Sequence, residues 1–183
     1  MKRISTKLFA QLLAIGLAAS AFFLGGCATA SNSTAMIATS AAPANKHTGS
    51  VSVNVTGGAE TSAMGASNIS NTDFASAIQA SITQSQLFAK ILAEQSDYRL
   101  DVQIVRLDRP MFGTSFTVNL EATWRLFRRG EPKPVWEKAV ASSFTATMGD
   151  AFAGVTRLRL ANEGAARANI KDAIAQMGTL TLP

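Results

Sequence analysis

Histidine, cysteine and tyrosine occur once each in this 183-residue chain, and charged side chains make up only 16% of it. The single cysteine, Cys27, excludes an intramolecular disulfide. The single histidine, His47, leaves no second imidazole for a His-metal centre, and any Ser–His or Cys–His set would rest on it alone. His47 falls in a stretch whose composition reads as a linker, so it is expected to be solvated and without the rigid support that catalysis needs. Asp97, Asp101 and Asp108 are the remaining acid–base candidates; they fall on or beside one strand and read as surface charge. Gly57-Gly58 is followed by no phosphate-binding lysine pattern. Basic residues never cluster as a phosphate-backbone binder requires, and Arg128-Arg129 is a lone pair in an expected turn, which excludes nucleic acid as a partner. No repeat of hexapeptide or longer period is present. The sequence therefore points to a chain that is not an enzyme and carries no cofactor or metal.

What is present begins at the N-terminus. Lys2, Arg3 and Lys7 precede an uncharged run over residues 8–26 that ends in Leu24-Gly25-Gly26-Cys27. A basic start, a short apolar segment and small residues before the cut are the parts of a secretory signal. The length alone would suit a spanning helix, but Leu-Gly-Gly-Cys resembles the lipobox of bacterial lipoproteins. That resemblance implies cleavage before Cys27 and a diacylglyceryl group on its thiol, anchoring the chain to a membrane. Residues 1–26 are thus read as signal peptide. Their loss removes three of the seventeen basic residues and none of the twelve acidic ones, leaving a net charge of about +2 rather than +5. The usual sorting rule places Asp after the lipidated cysteine of inner-membrane lipoproteins; Ala28 stands there, which by the same resemblance favours the periplasmic face of the outer membrane.

Residues 27–49, rich in Ala, Ser, Thr and Asn, lack the large apolar side chains that offset ordering entropy and are expected to be a flexible tether with a coil reach of about 25 Å. Residues 50–183 suffice for one domain with a real core. Residues 50–56 alternate apolar and polar as a half-buried strand, stopped by Gly57-Gly58. Ser70 and Asp73 form a variant capping box, with Ile69 and Phe74 as the staple. Phe74, Ala77, Ile78, Ser81 and Ile82 follow on one helical face. Residues 87–92 read equally as a last helical turn or a short strand. Strand patterns follow at 98–107, at 116–126 (the clearest alternation) and at 135–147. Asp150 is the expected cap of a final helix with Val155, Leu158, Ala161, Ala165, Ala168, Ile170 and Ala173 inward, and Arg157, Arg159, Asn162, Glu163, Arg167, Lys171 and Asp172 toward water. Gly164 should weaken its middle by about 1 kcal/mol relative to Ala.

The order predicts an α+β fold: a two-layer sandwich with a mostly antiparallel sheet of four to five strands and two helices on one face. A capped helix ending in Ser-Gln-Leu-Phe (85–88), three strands, and Thr-Met-Gly-Asp-Ala-Phe (147–152) leading into an Ala/Asn-rich helix resemble small uncharacterised Gram-negative lipoproteins of the YajG-like kind. In architecture they are also similar to LptE-like and ABC-transporter auxiliary lipoproteins. The resemblance implies a role in binding proteins or lipids at the outer membrane and supplies no catalytic motif. Expected partners are the membrane, through Cys27, and an envelope protein or lipid. Candidate contact residues are Met111 and Phe112 at a hairpin tip, for which a loop folded back to cap the core is the favoured alternative, and Val105, Leu107 and Phe127, apolar on nominally polar strand faces. For the last three a local bulge that switches faces is the competing reading. Two other functions stay open: a carrier of lipid or a small hydrophobe, with room left by Ala161, Ala165 and Ala168, and an envelope hydrolase or transferase.

Overall fold

A computed structural model describes residues 29–39, 43–62, 65–110 and 112–182. The chain forms α1 (Ser33–Met36), β1 (His47–Thr56), α2 (Asn71–Ser85), β2 (Phe88–Ile91), β3 (Tyr98–Asp108), β4 (Phe116–Arg128), β5 (Pro134–Ala146) and α3 (Gly154–Met177). The fold is α+β, one five-stranded sheet in the order β2-β1-β3-β4-β5 with α2 and α3 on one face. The long ladders, β3–β4 and β4–β5, are antiparallel, as the strand–turn–strand sequence predicts. β1 departs from this pattern by pairing parallel to both β2 and β3. The cause lies in connectivity: α2 is the crossover that returns the chain to the starting end of β1, and a strand entered from that end runs parallel.

Period-2 alternation builds the inner face. Phe116, Val118, Leu120, Ala122, Trp124 and Leu126 of β4 are all buried, as are Leu100, Val102 and Ile104 of β3. Trp124 is fully buried and joins both helices to the sheet. Its ring meets Phe74 of α2 edge-on at 6.3 Å between centroids, and its indole N–H donates to Asn169 Oδ1 of α3 at 2.9 Å. The Asn169 amide in turn donates to the Val140 carbonyl of β5 at 2.7 Å. One asparagine thus satisfies polar groups on two strands, which a buried indole N–H and an inward carbonyl both require.

α2 starts as expected: Ser70 Oγ accepts from the Asp73 N–H at 3.0 Å and donates to the Asp73 carboxylate at 2.7 Å. Ile69 and Phe74 are both buried. Residues 88–91 resolve as a strand, because Gln86 takes a left-handed conformation (φ 55°) that ends α2 abruptly. α3 is not capped by Asp150. That carboxylate instead accepts from the Thr147 N–H and hydroxyl at 2.7 and 2.8 Å, closing a turn before the helix. Gly164 does not break α3 either. A Cβ there would lie 2.2 Å from Phe144 Cγ, so the glycine is the seat of the Phe144 ring.

Three residues expected to face water on α3 are buried: Arg157, Asn162 and Glu163. The loop before α3 engages Arg157 through the Ala151 and Phe152 carbonyls, the Ser67 carbonyl takes Asn162, and chain expected to be loose takes Glu163. The tether predicted over residues 27–49 is, from Ser31 onward, largely part of the fold. Asn32 caps α1, accepting from the Thr34 N–H at 2.8 Å, and its own N–H donates to Glu163 Oε1 at 2.9 Å. Arg167 donates to the Ala35 carbonyl at 2.7 Å, and the Ala38 N–H donates to Ser81 Oγ at 2.9 Å. Met36 and Ala38 are buried. The small side chains that suggested disorder let this strand-like segment lie against α2 and α3, whose polar side chains satisfy its backbone. Cys27 and residue 28 lie outside the described residues.

Candidate interaction surfaces

The solvent face of the sheet is a ladder of charge rather than an apolar patch. Arg99 pairs with Asp101 at 3.0 Å, Arg106 with Asp108 at 2.6 Å, and Arg125 with Glu137 at 2.7 Å. These exposed pairs contribute little stability, about 0–1 kcal/mol each, but they occupy the face and account for two of the three candidate carboxylates. Val105, Leu107 and Phe127 separate on it. The β3–β4 register shifts between Ile104 and Arg106, so Val105 is an extra residue and protrudes at 55% exposure. That bulge turns Leu107 inward, opposite Leu120, where it packs against the core. For Leu107 the face switch by a local bulge is therefore the arrangement observed. Phe127 sits opposite Arg99, whose guanidinium lies 4.6 Å from the ring centroid. Six register positions separate Val105 from that pair, about 20 Å of strand, so the three residues form no contiguous patch.

His47 is not a solvated linker residue. It opens β1 and is buried, its Nε2 3.1 Å from the Met177 carbonyl and its ring 4.9 Å from that of Phe88. The small-residue pattern misplaced it because the strand begins three residues earlier than alternation alone shows. Asp97 lies beside it at the same end of the sheet. The Ser50 N–H and hydroxyl donate to Asp97 Oδ2 at 2.8 and 2.7 Å, holding its carboxyl below the ordinary carboxylate value. A group whose folded pKa is depressed stabilises the fold above its unfolded value, near pH 3.9, and loses that contribution as pH falls through the folded value. Ser50→Ala is therefore expected to move the Asp97 titration upward toward that ordinary value, read by carboxyl NMR; an unmoved titration would contradict the assignment.

Two concavities of about 680 and 690 Å³ flank the Arg128-Arg129 turn at this end. The first is lined by Lys46, His47, Asp97 and Tyr98, the second by Glu94, Arg99 and Phe127. Neither opens between the helices and the sheet. There Ala161 and Ala165 are fully buried, Ala168 is half-buried, and Gly164 meets Phe144, so close packing accounts for the small residues at 161, 164 and 165. Among the described residues no group of three or more His, Cys, Asp or Glu is placed to hold a metal ion.

The opposite end of the sheet carries the two most exposed large apolar side chains among the described residues. Phe112 is 88% exposed on the β3–β4 loop, and Phe152 is 86% exposed on the loop leading to α3. Met148 and Val155 are exposed beside Phe152 in sequence. Met111 lies outside the described residues. The hairpin tip was legible from Pro110 and Gly113, whereas Phe152 was hidden in what reads as a helix start.

The fold thus defined is a two-layer α+β sandwich whose extremes are a polar end around His47 and an apolar end around Phe112 and Phe152. No family model matches the sequence, and no curated protein matches it. Likeness to solved structures lies in the fold. The crystal structure of protein XCC0632 from Xanthomonas campestris, of the DUF330 family, superposes with a TM-score of 0.57 at 10% identity, over 76% of this chain and 88% of that one. The PelC dodecamer from Paraburkholderia phytofirmans gives a TM-score of 0.46 at 15% identity, over 78% of this chain and 96% of that one. Uncharacterized lipoprotein B from Nitrosomonas europaea gives 0.43 at 12% identity, over 74% and 85%.

Proposed function

We propose that this chain is a lipid-anchored, non-catalytic lipoprotein of the cell envelope, held on the periplasmic face of the outer membrane and acting by binding an envelope protein or lipid. The observation that carries the reading is the ordered set at the N-terminus: Lys2 and Arg3, the uncharged run over residues 8–26, and Leu24-Gly25-Gly26 directly before the only cysteine. Ala28, in the position where Asp would retain the chain at the inner membrane, supports the outer membrane as the destination. A binding role fits the commitments of the groups that chemistry would use. The His47 imidazole is engaged by the Met177 carbonyl, Asp97 by Ser50, Asp101 by Arg99 and Asp108 by Arg106. No described helix is long and apolar enough to cross a membrane. The Leu24-Gly25-Gly26-Cys27 ending is what assigns attachment to acyl chains on Cys27.

With residues 1–26 replaced by a signal whose cleavage does not need a lipidated cysteine, Cys27→Ser is expected to move the processed protein from the membrane pellet to the soluble periplasmic fraction, because stable anchoring needs the acyl chains. Retention of the variant in the pellet would count against the anchor. The binding role is tested by crosslinking in intact envelopes at native expression. A reproducible crosslinked partner is expected, and recovery of monomer alone would contradict it.

A further inference from the structure

We propose that the apolar end of the sandwich, formed by Phe112, Met148, Phe152 and Val155, rests in the bilayer to which Cys27 is anchored, so that the lipoprotein is held in one orientation rather than swinging on a tether. The inference rests on acylation of Cys27 and adds to it a second membrane contact and a direction.

The direction follows from how the N-terminal segment lies on α3. Arg167 reaches the Ala35 carbonyl, Glu163 takes the Asn32 N–H, and Ser31 Oγ lies 3.4 Å from Ser67 Oγ. The Ser67 carbonyl accepts from Asn162 at 2.8 Å and also from Arg109, which leads into the β3–β4 loop. Read backwards from Ala38 to Ser31, the chain therefore climbs α3 toward its N-terminus and stops beside the loop that carries Phe112. Cys27 is five residues before Asn32, a span of at most about 17 Å when fully extended. The first residue of α3 lies nine residues from Glu163, about 14 Å along the helix axis. The leash thus reaches the level of Phe152 and Val155. The other end of α3, at Met177, is about 21 Å from Glu163 in the opposite direction, beyond what the same leash can bring to the anchoring bilayer.

The two most exposed apolar side chains lie together at one end, whereas Leu92 and Val135, at the other end, are exposed less than half as much. A Cβ on Gly113 would lie 4.0 Å from the Phe116 ring, and one on Gly154 would lie 3.6 Å from its other edge. The β3–β4 loop and the start of α3 therefore converge on Phe116. Arg157, whose guanidinium carbon is 5.4 Å from that ring centroid, donates to the Ala151 and Phe152 carbonyls at 2.9 and 2.6 Å and fixes the second loop. Two phenyl rings almost wholly exposed on these converging loops are apolar area without a partner inside the chain. At the end from which an acyl anchor must emerge, the available apolar phase is lipid, and aromatic and aliphatic side chains at such depth add to an acyl chain as a second attachment.

The test uses the mature acylated chain in phosphatidylethanolamine–phosphatidylglycerol vesicles, with Phe112→Trp and Phe152→Trp made separately and Lys133→Trp, on the β4–β5 turn at the far end, as control. The unsubstituted chain gives the baseline from Trp124 and Trp136. Lipids brominated in their acyl chains are expected to quench the added emission of Phe112→Trp and Phe152→Trp severalfold more than that of Lys133→Trp, which aqueous iodide should quench instead. Equal iodide access at all three positions would overturn the inference. So would shielding of positions 112 and 152 from both quenchers, the signature of a second copy or a protein partner on that end. Mass analysis of the N-terminal peptide from the same preparation separates the two claims. An acylated Cys27 without bromine quenching overturns only the docking, whereas an unacylated peptide overturns the anchor and the docking that rests on it.

Discussion

Asn169→Leu is expected to destabilise the fold by about 3 kcal/mol. The change leaves two buried groups, the Trp124 indole N–H and the Val140 carbonyl, without their partner at roughly 1–3 kcal/mol each, partly offset by the added apolar contact. Both bonds are short and fully within the core, at 2.9 and 2.7 Å, so water does not substitute for the lost amide. Ser142, whose hydroxyl donates to the Ala165 carbonyl at 2.8 Å and accepts from Asn169 at 3.3 Å, would lose one further neighbour. Denaturant unfolding monitored by far-UV circular dichroism, a signal that does not depend on Trp124, measures the cost. A double variant sharpens the attribution: with Trp124→Phe also in place, the indole N–H is gone, and Asn169→Leu should cost measurably less than it does alone. A single variant within 0.5 kcal/mol of the unsubstituted chain would mean that the asparagine does not join the two strands to α3.

Gly164→Ala should destabilise by about 1–3 kcal/mol, the usual cost of overpacking, although helix propensity alone would favour alanine by about 1 kcal/mol. The two effects oppose each other, and distance decides between them. A Cβ at 2.2 and 2.3 Å from two Phe144 ring carbons is far inside contact distance, so the ring must leave its rotamer or α3 must lift from β5. Thermal unfolding gives the sign. Removing the ring isolates the cause: in a Phe144→Ala background the same Gly164→Ala change should become neutral or stabilising, with the propensity term no longer opposed. Persistence of the loss in that background would place its origin elsewhere.

Most of the sheet and α2 was legible because each rests on a short-range rule. The six alternations of β4 define a buried face without knowledge of any partner, and Ser70, Asp73, Ile69 and Phe74 mark a helix start within five positions. What escaped reading depends on contacts distant in sequence. Arg157, Asn162 and Glu163 look like a solvent face on a helical wheel; the 151–152 loop and the Phe116 ring take up Arg157, the chain at Ser67 takes Asn162, and the docking of residues 31–38 takes Glu163. The same contact converts an apparent tether into structure: the Ala/Ser/Thr composition of that segment reports a lack of large apolar side chains, which suits a solvated coil and a close-fitting strap equally. The parallel pairing of β1 needed the crossover by α2, and the bulge at Val105 needed the β4 register. Of the proposed contact residues, Phe112 is exposed rather than folded back onto the core, and Val105 protrudes alone. Leu107 is half-buried against the core, Phe127 lies under Arg99, and Met111 lies outside the described residues. Phe152 was missed because its neighbours Asp150 and Val155 pointed to a helix start, and a helix start gives no reason for an aromatic to face outward.

The anchor on Cys27 bears more weight in this account than any other element, since compartment, orientation and the proposed bilayer contact all depend on it. Intact and peptide mass analysis of the protein purified from its native membrane reads it directly. The expected species begins at Cys27 and carries a thioether-linked diacylglyceryl group. A chain that still begins at Met1, or one that begins at Cys27 without fatty acid, would contradict it.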